Sequence, residues 1–377
     1  MSVKNFAETT ITELVKELPI EIEAGTPLLI HGPVGCGKTS AIRTFAEEND
    51  FDFIPYVLSN ISEPSDINGL PCFVDTPNGR VTSIALNEVF PREGCRPTII
   101  LLDEFYSAAP EIQAAVTTLL LEKRVGVHKL PDNVYVMAAT NDSEHASFTA
   151  AEDNAAINTR CAHYMIRPDA KEFIGIASKL EMHPAIISWI SIQPECVSDE
   201  LALNQEHTIF SNYRTLEAVS KYLYSVEKHK GKEATLSSAA KRGVTARIGQ
   251  AAQSKFYFVL EQILTLHPLE EYIQAYNKDP KSVRDIAPTT MASLYGLAYS
   301  LINQANTTKT YRNAVGVMTE CCSIEDALSR KEIFSMFIMQ VVKKLSSNKK
   351  VLRELLKTPE FDGALVETID ITNWIDE

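Results

Sequence analysis

The chain has 377 residues, of which 45% are hydrophobic and 23% charged, as in globular proteins with more than one domain. Its 36 lysines and arginines stand against 49 aspartates and glutamates, a formal net charge of -13. This balance argues against nucleic acid or anionic membrane as a partner held by bulk charge, because such binding needs basic side chains that neutralise phosphates. No apolar run approaches the length of about 18 residues that spans a bilayer, so no membrane span is expected.

The cysteines and the first residues indicate a cytoplasmic protein. The seven cysteines form no C-x-x-C pair, and no H-E-x-x-H sequence is present, so no zinc site is predicted. Cys36 lies inside a glycine-rich loop where a disulfide would be difficult to form, which favours a reducing compartment. Residues 1–18 lack the apolar core of a signal peptide and instead have the pattern of an amphipathic helix.

The first half of the chain alternates apolar runs with helical patterns. Helical spacing begins at Lys38 and again at Pro110, where apolar residues recur at i, i+3, i+4, i+7 and i+8. An alternation of strands and helices predicts a parallel sheet covered by helices on both faces. The apolar runs predict five strands, at residues 26–31, 51–59, 98–103, 134–141 and 163–166.

Two intervals are too rich in turn-forming residues to be simple crossovers. Residues 60–97 include PSDINGLPCFVDTPNG, which predicts an inserted loop or hairpin, and residues 123–133 predict a second small hairpin. Both would project from the sheet. After Pro168 the strand signal fades, and helical periodicity dominates residues 169–377, with breaks near Pro194, Gly231, Pro280 and Ser347.

The sequence HGPVGCGKTSAI contains the phosphate-loop pattern G-x-x-x-x-G-K-[ST] between a predicted strand and a predicted helix. Glycines let the backbone amides wrap around phosphate oxygens, and the N-terminus of the helix adds the positive end of its dipole. Lys38 is expected to reach the β- and γ-phosphates, and the Thr39 hydroxyl to bind Mg²⁺. The pattern occurs by chance in about one chain of this length in a hundred, and the flanking strand and helix make chance a poor explanation here. The predicted nucleotide-binding residues of this loop are Gly32, Pro33, Val34, Gly35, Cys36, Gly37, Lys38, Thr39 and Ser40.

Polar residues end two of the buried strands. Asp103 closes the run TIILLD and suits a Mg²⁺ site, while Glu104 beside it can align or deprotonate an attacking water. Taken alone, Asp103 could equally cap the next helix, but its place about 65 residues after the phosphate loop favours catalysis. Asn141 closes VYVMAATN and could orient the same water; the alternative is a simple turn-forming asparagine.

The motifs GPVGCGKT, ILLDE and AATN together resemble those of the AAA+ ATPases, and in finer detail those of the MoxR-like branch. SEPSDINGLP resembles an insertion of that branch, and RVGVHKLPDN resembles its hairpin before the sensor strand. The resemblance covers about residues 10–265 and implies an α/β P-loop NTPase (AAA+) fold, with a parallel sheet flanked by helices. The implied domains are a nucleotide-binding core at 1–168, a helical lid at 169–265 and a helical region of unknown role at 266–377.

The same resemblance implies two arginine roles. NTRCAHYMI is similar to the segment that carries the arginine finger, which would be Arg160, although Cys161 follows where an aromatic residue is more usual. A guanidinium on the γ-phosphate would stabilise the charge of the transition state. FSNYRTLEAVSKYL resembles the lid helix that bears a second sensor, which would be Arg214. Rival candidates for the finger are Lys123, Arg124 and Arg167.

The implied function is hydrolysis of ATP with Mg²⁺ in a homo-oligomeric ring, expected to be a hexamer, that remodels a client protein complex. Members of this branch often work with proteins that contain a von Willebrand factor A domain. The first hairpin region holds only two aromatic residues and the second none, which favours remodelling of folded complexes over threading of unfolded chains. Thr39 and Asp103 would hold the metal, and the catalytic residues would be Glu104, Asn141 and Arg160.

Other functions remain open at this point. A motor or loader acting on nucleic acid would use the same domain, but the acidic charge and the lack of a basic cluster with interleaved aromatics weigh against it. A nucleotide-gated scaffold with little turnover is the third reading, and GTP could replace ATP because the loop does not read the base. Near the end of the chain, the acidic segment ETIDITNWIDE could bind a partner through Trp374 or be a solvated tail.

Overall fold

In the computed structural model of the protein, residues 6–361 are described apart from 78, 142–154, 199–208, 325–327, 347 and 360. The chain forms two compact units, Met1–Pro168 and Asp169–Glu377. Among the described residues, no helix has the length and apolar character needed to cross a bilayer.

The first unit is built on a parallel sheet of six strands. The described strands of the unit are β1 (Ala7–Thr9), β2 (Leu28–Gly32), β3 (Asp52–Val57), β4 (Leu70–Thr76), β5 (Gly79–Ala85), β6 (Thr98–Asp103), β7 (Arg124–Val125), β8 (His128–Lys129), β9 (Val134–Asn141) and β10 (Ala162–Ile166). The spatial order of the sheet is β1-β10-β2-β9-β6-β3, and all neighbouring pairs are parallel. The predicted parallel sheet is therefore confirmed. The five predicted strands lie within one or two residues of their expected ends, apart from a short 3₁₀ turn that closes the second.

Strand β1 corrects the expectation of a helix from the first residue. The helix begins only at Ile11, because Thr10 closes a capping box with Glu13 that fixes the helix start. The Thr10 side chain accepts from the Glu13 amide at 3.3 Å, and the Glu13 carboxylate accepts from the Thr10 amide at 3.1 Å. The residues before Thr10 pair with β10 instead, with Ala7 opposite Tyr164.

Helices cover the sheet through apolar faces. In α4 (Pro110–Glu122), Val116 and Leu120 belong to one buried cluster with Ile100 of β6 and Val136 of β9. Pro110 opens this helix, as its sequence predicted, since its missing amide and fixed φ suit the first helical turn. The helices of the first unit are α1 (Ile11–Ala24), α2 (Lys38–Glu48), α3 (Ser65–Asn68), α4 (Pro110–Glu122) and α5 (Ala155–Arg160).

Both turn-rich intervals contain an antiparallel hairpin, β4–β5 in the first and β7–β8 in the second. The hairpins contact each other, because His128 Nε2 donates to the Ile84 carbonyl at 2.7 Å. The longer hairpin exposes apolar side chains, among them Phe73, whose side chain is 71% exposed. The two insertions are thus joined to each other by a hydrogen bond, and the longer one exposes apolar area.

The second unit is helical in its described part. Its single hydrophobic cluster runs from Phe173 to Phe361, with Trp189 fully buried against Phe256. The cluster crosses the expected boundary near residue 265 without a break, and the functional division there stays a prediction. The helices are α6 (Ala170–Lys179), α7 (Pro184–Ile192), α8 (Tyr213–Lys230), α9 (Ser238–Ile263), α10 (Leu269–Lys278), α11 (Met291–Gln304), α12 (Thr308–Cys322), α13 (Leu328–Leu345) and α14 (Lys349–Leu355).

Helix α9 reverses direction in its middle. Gly249 has a non-helical backbone, with φ 79 and ψ 168. Lys241 Nζ lies 5.0 Å from the Tyr257 ring and 3.4 Å from Glu261 Oε1. Since Glu261 is 20 residues further along the chain, a straight helix would hold the two about 30 Å apart. The two arms of α9 therefore pack side by side.

Polar contacts add to the core around the turn between α6 and α7. Lys344 Nζ lies 3.5 Å from Glu181 Oε1, and Asn303 Nδ2 donates to the Met182 carbonyl at 3.4 Å. His183, which caps α7, accepts from the Ala185 amide at Nδ1, so its Nε2 carries the proton towards Glu227 Oε1 at 3.3 Å. These contacts join the turn between α6 and α7 to α8, α11 and α13.

Replacing Glu227 by glutamine is expected to weaken the dependence of thermal stability on acid pH. Burial raises the pKa of the Glu227 carboxyl, but the hydrogen bond from His183 and the positive charge of Lys232 outweigh it, so the pKa lies below its usual value. A carboxylate with a depressed folded-state pKa stabilises the fold above its unfolded pKa of about 4.3, and the contribution is lost as pH falls through the folded pKa. Calorimetry at pH 7 and near pH 3.5 measures the loss of Tm.

The matched control is Glu233→Gln, at a nearby carboxylate that is exposed. The control is expected to lose as much Tm on acidification as the wild type, while Glu227→Gln loses less. Equal losses in the wild type and Glu227→Gln would show that the pair with His183 contributes nothing to stability.

Candidate nucleotide-binding site

The candidate site lies at the carboxyl ends of neighbouring strands. Strands β2 and β9 are paired, as are β9 and β6, and the last residues of β9 and β6 are Asn141 and Asp103, which the sequence singled out. The loop after β2 leads into α2, whose first residue is Lys38. Ligands of open parallel sheets bind at such an edge, because loops and helix N-termini converge there.

The phosphate loop has the backbone that its glycines allow. Gly37 is the N-cap of α2 with φ 99, in the left-handed region, and no side chain caps the first amides of the helix. Those amides are therefore available to an anion. Gly32 packs so closely on β10 that an added Cβ would lie 2.9 Å from the Ile166 Cβ, which ties the loop to the sheet.

The Lys38 ammonium is held inside this loop, with the residue only 7% exposed. It donates to the carbonyls of Gly32 and Pro33 at 2.9 and 3.0 Å, and lies 3.5 Å from Asn141 Oδ1. The structure thus brings Asn141 to the phosphate loop from β9. A buried cation beside unshared helix amides makes the loop a strong site for an anion.

Thr39 and Asp103 meet at the end of β6. Thr39 Oγ1 donates to Asp103 Oδ2 at 2.5 Å, while Asp103 Oδ1 accepts from the Glu104 amide at 2.9 Å. Both oxygens of the carboxylate are therefore oriented. A hydroxyl and a carboxylate in contact are oxygen ligands of the kind that Mg²⁺ takes, usually together with water and substrate phosphates.

Glu104 adopts a left-handed backbone, with φ 59, which costs a non-glycine residue about 1–3 kcal/mol. Its Oε2 accepts a hydrogen bond from Ser59 Oγ, in the turn after β3. Ser59 was missed by sequence reasoning. The signal that could have found it is a polar residue directly after a strand, since parallel strands end at the same edge, where Val57 pairs with Asp103.

The arginine candidates are less closely tied to this edge. Arg160 ends α5 and is exposed, and the described part of the chain offers it no ion pair. Arg167 pairs with Glu8 at 3.0 Å, and Arg124 donates to the Val127 carbonyl at 3.0 Å. Arg214 lies near the start of α8 in the other unit, with its side chain exposed.

The fourth finger candidate, Lys123, is half-buried, and its ammonium lies 5.0 Å from the Tyr135 ring. Burial lowers the pKa of this amine, partly offset by the charge of Asp132. The Lys123 amine therefore already has a partner within its own chain, the Tyr135 ring.

The residues present fit a nucleoside triphosphate with Mg²⁺. The helix amides and Lys38 suit the phosphates, and the contact of Thr39 with Asp103 suits the metal. Glu104 lies beside this pair, where it could act on a water. The other loop residues of the prediction flank these groups, with Cys36 buried and Val34 and Ser40 exposed.

A fold of this kind with this loop defines an AAA-type P-loop NTPase domain followed by a helical region. Residues 28–152 match the model of the ATPase family associated with various cellular activities (AAA). The match covers β2 to β9 and the whole phosphate loop, so the chain carries an AAA ATPase domain.

Two solved structures are similar to the chain. One is a candidate ATPase from Cytophaga hutchinsonii, at 14% sequence identity and a TM-score of 0.32, covering 93% of this chain and 81% of that chain. The other is the Holliday junction branch migration motor RuvB of Thermotoga maritima, at 12% identity and a TM-score of 0.32, covering 70% and 75%. At these scores the likenesses say nothing about substrate or partner. No curated protein sequence matches the chain significantly.

Proposed function

We propose that the chain hydrolyses ATP with Mg²⁺ in a homo-oligomeric ring, expected to be a hexamer, and thereby remodels a client protein complex in the manner of the MoxR-like branch. The observation that carries the proposal is the meeting of Lys38, Thr39, Asp103 and Asn141 at one sheet edge, with Glu104 beside them. The expected location is the cytoplasm.

Each residue of this edge has a proposed task. Lys38 and the first amides of α2 bind the phosphates, and Thr39 with Asp103 holds the metal. Mg²⁺, when bound, neutralises charge on the phosphates. Glu104 accepts a proton from water or aligns it, and Asn141 orients the same water. Arg214 keeps the second-sensor role that the resemblance implies.

Arg160 is proposed to act on the nucleotide of a neighbouring copy. It is exposed and without an ion pair in the described part of the chain, whereas Arg167 and Arg124 are engaged within their own chain. An exposed arginine costs nothing to redirect, while a paired one must first lose its partner. If Arg160 completes the site of a neighbour, hydrolysis depends on assembly.

The client is proposed to be a folded protein complex, with a protein containing a von Willebrand factor A domain as a candidate partner. The exposed apolar side chains of the projecting hairpins, such as Phe73 and Val127, support a contact there. Neither hairpin presents a row of aromatic residues, which supports remodelling over threading.

The test is the rate of ATP hydrolysis per protomer across a wide range of protein concentration, with Arg160→Ala alongside. We expect the specific rate to rise with concentration, and Arg160→Ala to lose about 10³-fold in turnover while it still binds nucleotide. Arg167→Ala is the matched control and is expected to retain turnover, since that residue already pairs with Glu8. A concentration-independent rate together with a fully active Arg160→Ala would refute the shared site.

The same hydrolysis assay distinguishes the alternative functions that the sequence left open. If GTP is hydrolysed as fast as ATP, the site does not select adenine over guanine. Stimulation of hydrolysis by duplex DNA would favour the nucleic-acid motor. Tight binding with no turnover at any concentration would favour the nucleotide-gated scaffold.

A further inference from the structure

The junction of α8 and α9 carries a concentration of positive charge in an acidic chain. Residues 228–247 contain six lysines and arginines and one acid, although the chain as a whole has a net charge of -13. We call residues 228–242 the basic tip, because the chain turns there between the two helices. Its exposed basic side chains are Lys228, His229, Lys230, Lys232 and Arg242.

Three of these cations are not neutralised in the described part of the chain. Lys228, Lys230 and Arg242 make no ion pair there. Lys232 instead acts on the nearby Glu227 carboxylate through its charge, and Lys241 is paired with Glu261 at 3.4 Å. Nearby, Arg247 lies 4.2 Å from the Tyr222 ring and is thus also engaged.

The helix dipole accounts for only part of this charge. Lys228 and Lys230 lie in the last turn of α8, where a cation is favoured by about 0.3–1 kcal/mol. Arg242 is the fifth residue of α9, outside the last turn of α8, so the dipole of α8 does not account for it. A surface that keeps an unpaired arginine at this place is better explained by an anionic partner.

Apolar side chains flank the cations. Leu236 is exposed within the tip itself, and Phe258, on the returning arm of α9, is 67% exposed. Phe258 follows Tyr257, whose ring lies under Lys241 at 5.0 Å. The tip therefore offers positive charge and apolar area together, which suits a segment in which acids alternate with apolar residues.

The chain contains such a segment directly after its last described residue. Residues 362–377 hold five acids and no lysine or arginine, and between the acids lie apolar residues that include Ile369, Ile371 and Trp374. The preceding Phe361 is fully buried in the core of the same unit as the basic tip.

Residues 362–377 are long enough to reach the basic tip from Phe361. Sixteen residues can span up to about 50 Å, whereas a unit of this size has a radius of gyration of about 17 Å. Because residues 362–377 are covalently attached, their effective concentration near their own unit is about a millimolar. This gives them an advantage over competing ligands that are free in solution.

We propose that residues 362–377 dock on the basic tip of the same chain, with their acids against Lys228, Lys230 and Arg242 and with Trp374 against the exposed apolar area. Docking of this kind is held by exposed charges and is therefore sensitive to salt, because the screening length falls from about 10 Å at 0.1 M to about 3 Å at 1 M.

Fluorescence of Trp374 tests the proposal in the full chain. The chain has two tryptophans, and Trp189 is fully buried, so subtracting the signal of Trp374→Phe isolates Trp374. In 0.1 M salt we expect Trp374 to be shielded from acrylamide, and in 1 M salt to become accessible. A variant with Lys228→Gln, Lys230→Gln and Arg242→Gln is expected to lower the ratio of docked to free segment about ten-fold, which corresponds to about 1.4 kcal/mol.

The matched control removes three exposed lysines elsewhere in the same unit, with Lys278→Gln, Lys281→Gln and Lys309→Gln. It has the same net charge as the tip variant and is expected to keep Trp374 shielded. Equal accessibility in the two variants would overturn the proposal, since bulk charge would then explain the effect. Equal accessibility of Trp374 at both salt concentrations would overturn it as well.

Carbodiimide cross-linking identifies the occupant. In an equal mixture of ¹⁵N-labelled and unlabelled protein, we expect Lys228 or Lys230 to be joined to acids of residues 362–377 of the same isotope. Mixed-isotope products would assign the tip to a second copy instead. Binding of heparin to the tip with no change in Trp374 accessibility would assign it to an external polyanion. Either result would overturn docking within one chain.

Discussion

Replacing Glu104 by glutamine is expected to lower the rate of ATP hydrolysis by about 10²–10⁴-fold while nucleotide binding is retained. Glutamine keeps the size and hydrogen bonding of the side chain but cannot accept a proton from water. The residue does not hold the Thr39 side chain, whose hydroxyl bonds to Asp103, so the phosphate loop is left intact. Steady-state phosphate release and a binding titration with a fluorescent nucleotide measure the two effects separately.

Ser59→Ala is the comparison for Glu104→Gln, because it removes the hydroxyl that bonds to Glu104 and leaves the carboxylate in place. The loss of one hydrogen bond of about 0.5–1.5 kcal/mol is expected to change turnover by no more than about ten-fold. If Glu104→Gln keeps wild-type turnover, the Glu104 carboxylate is not the group that acts on the attacking water. Another polar residue at the same sheet edge would then have to do so.

Replacing Lys38 by alanine is expected to weaken binding of the nucleoside triphosphate by about 10–100-fold. The ammonium is buried in the phosphate loop, and a hydrogen bond to a charged group contributes about 1.5–3 kcal/mol. Isothermal titration of the nucleotide into each variant measures the dissociation constant directly.

The control for Lys38→Ala is Lys16→Ala, at an exposed lysine of α1 in the same unit. The control removes the same charge without touching the loop and is expected to bind as the wild type does. Since Lys38 also bonds to two loop carbonyls, thermal unfolding should be followed in parallel. An affinity for nucleotide within two-fold of wild type in a folded Lys38→Ala would place the phosphates elsewhere.

The central strands could be predicted because strands that are buried on both faces consist almost entirely of apolar residues. TIILLD and VYVMAATN are apolar on both faces, as a parallel sheet with helices on each side requires, and the structure has strands at those same residues. β1 could not be found in this way. Its three residues AET carry no apolar pattern, and they form a strand only because β10 offers a free edge.

The candidate site was predictable where one motif carries it and not where two distant strands must meet. Lys38 and Thr39 follow from the spacing of the phosphate loop, and Asp103 from its place after a buried strand. Ser59 becomes visible only through the register that pairs β3 with β6. The roles given to Arg160 and Arg214 stay predictions, since each depends on how copies or units approach one another.

In the second unit, periodicity predicted helices but not how they pack. The turn of α9 at Gly249 is one example, because a lone glycine in a helical pattern is as compatible with a straight helix as with a reversal. The contact of Lys344 with Glu181 joins residues 163 positions apart, so no local sequence pattern could have predicted it.

The unbroken core from Phe173 to Phe361 has a mechanical consequence. A densely packed interior transmits strain instead of absorbing it, and the contacts of Glu181 with α13 and of Met182 with α11 stiffen the same body. A strain applied to α8 would therefore pass into α10 to α14 of the same unit instead of being absorbed between them. The second unit is thus expected to respond as one elastic body to a force applied at any of its helices.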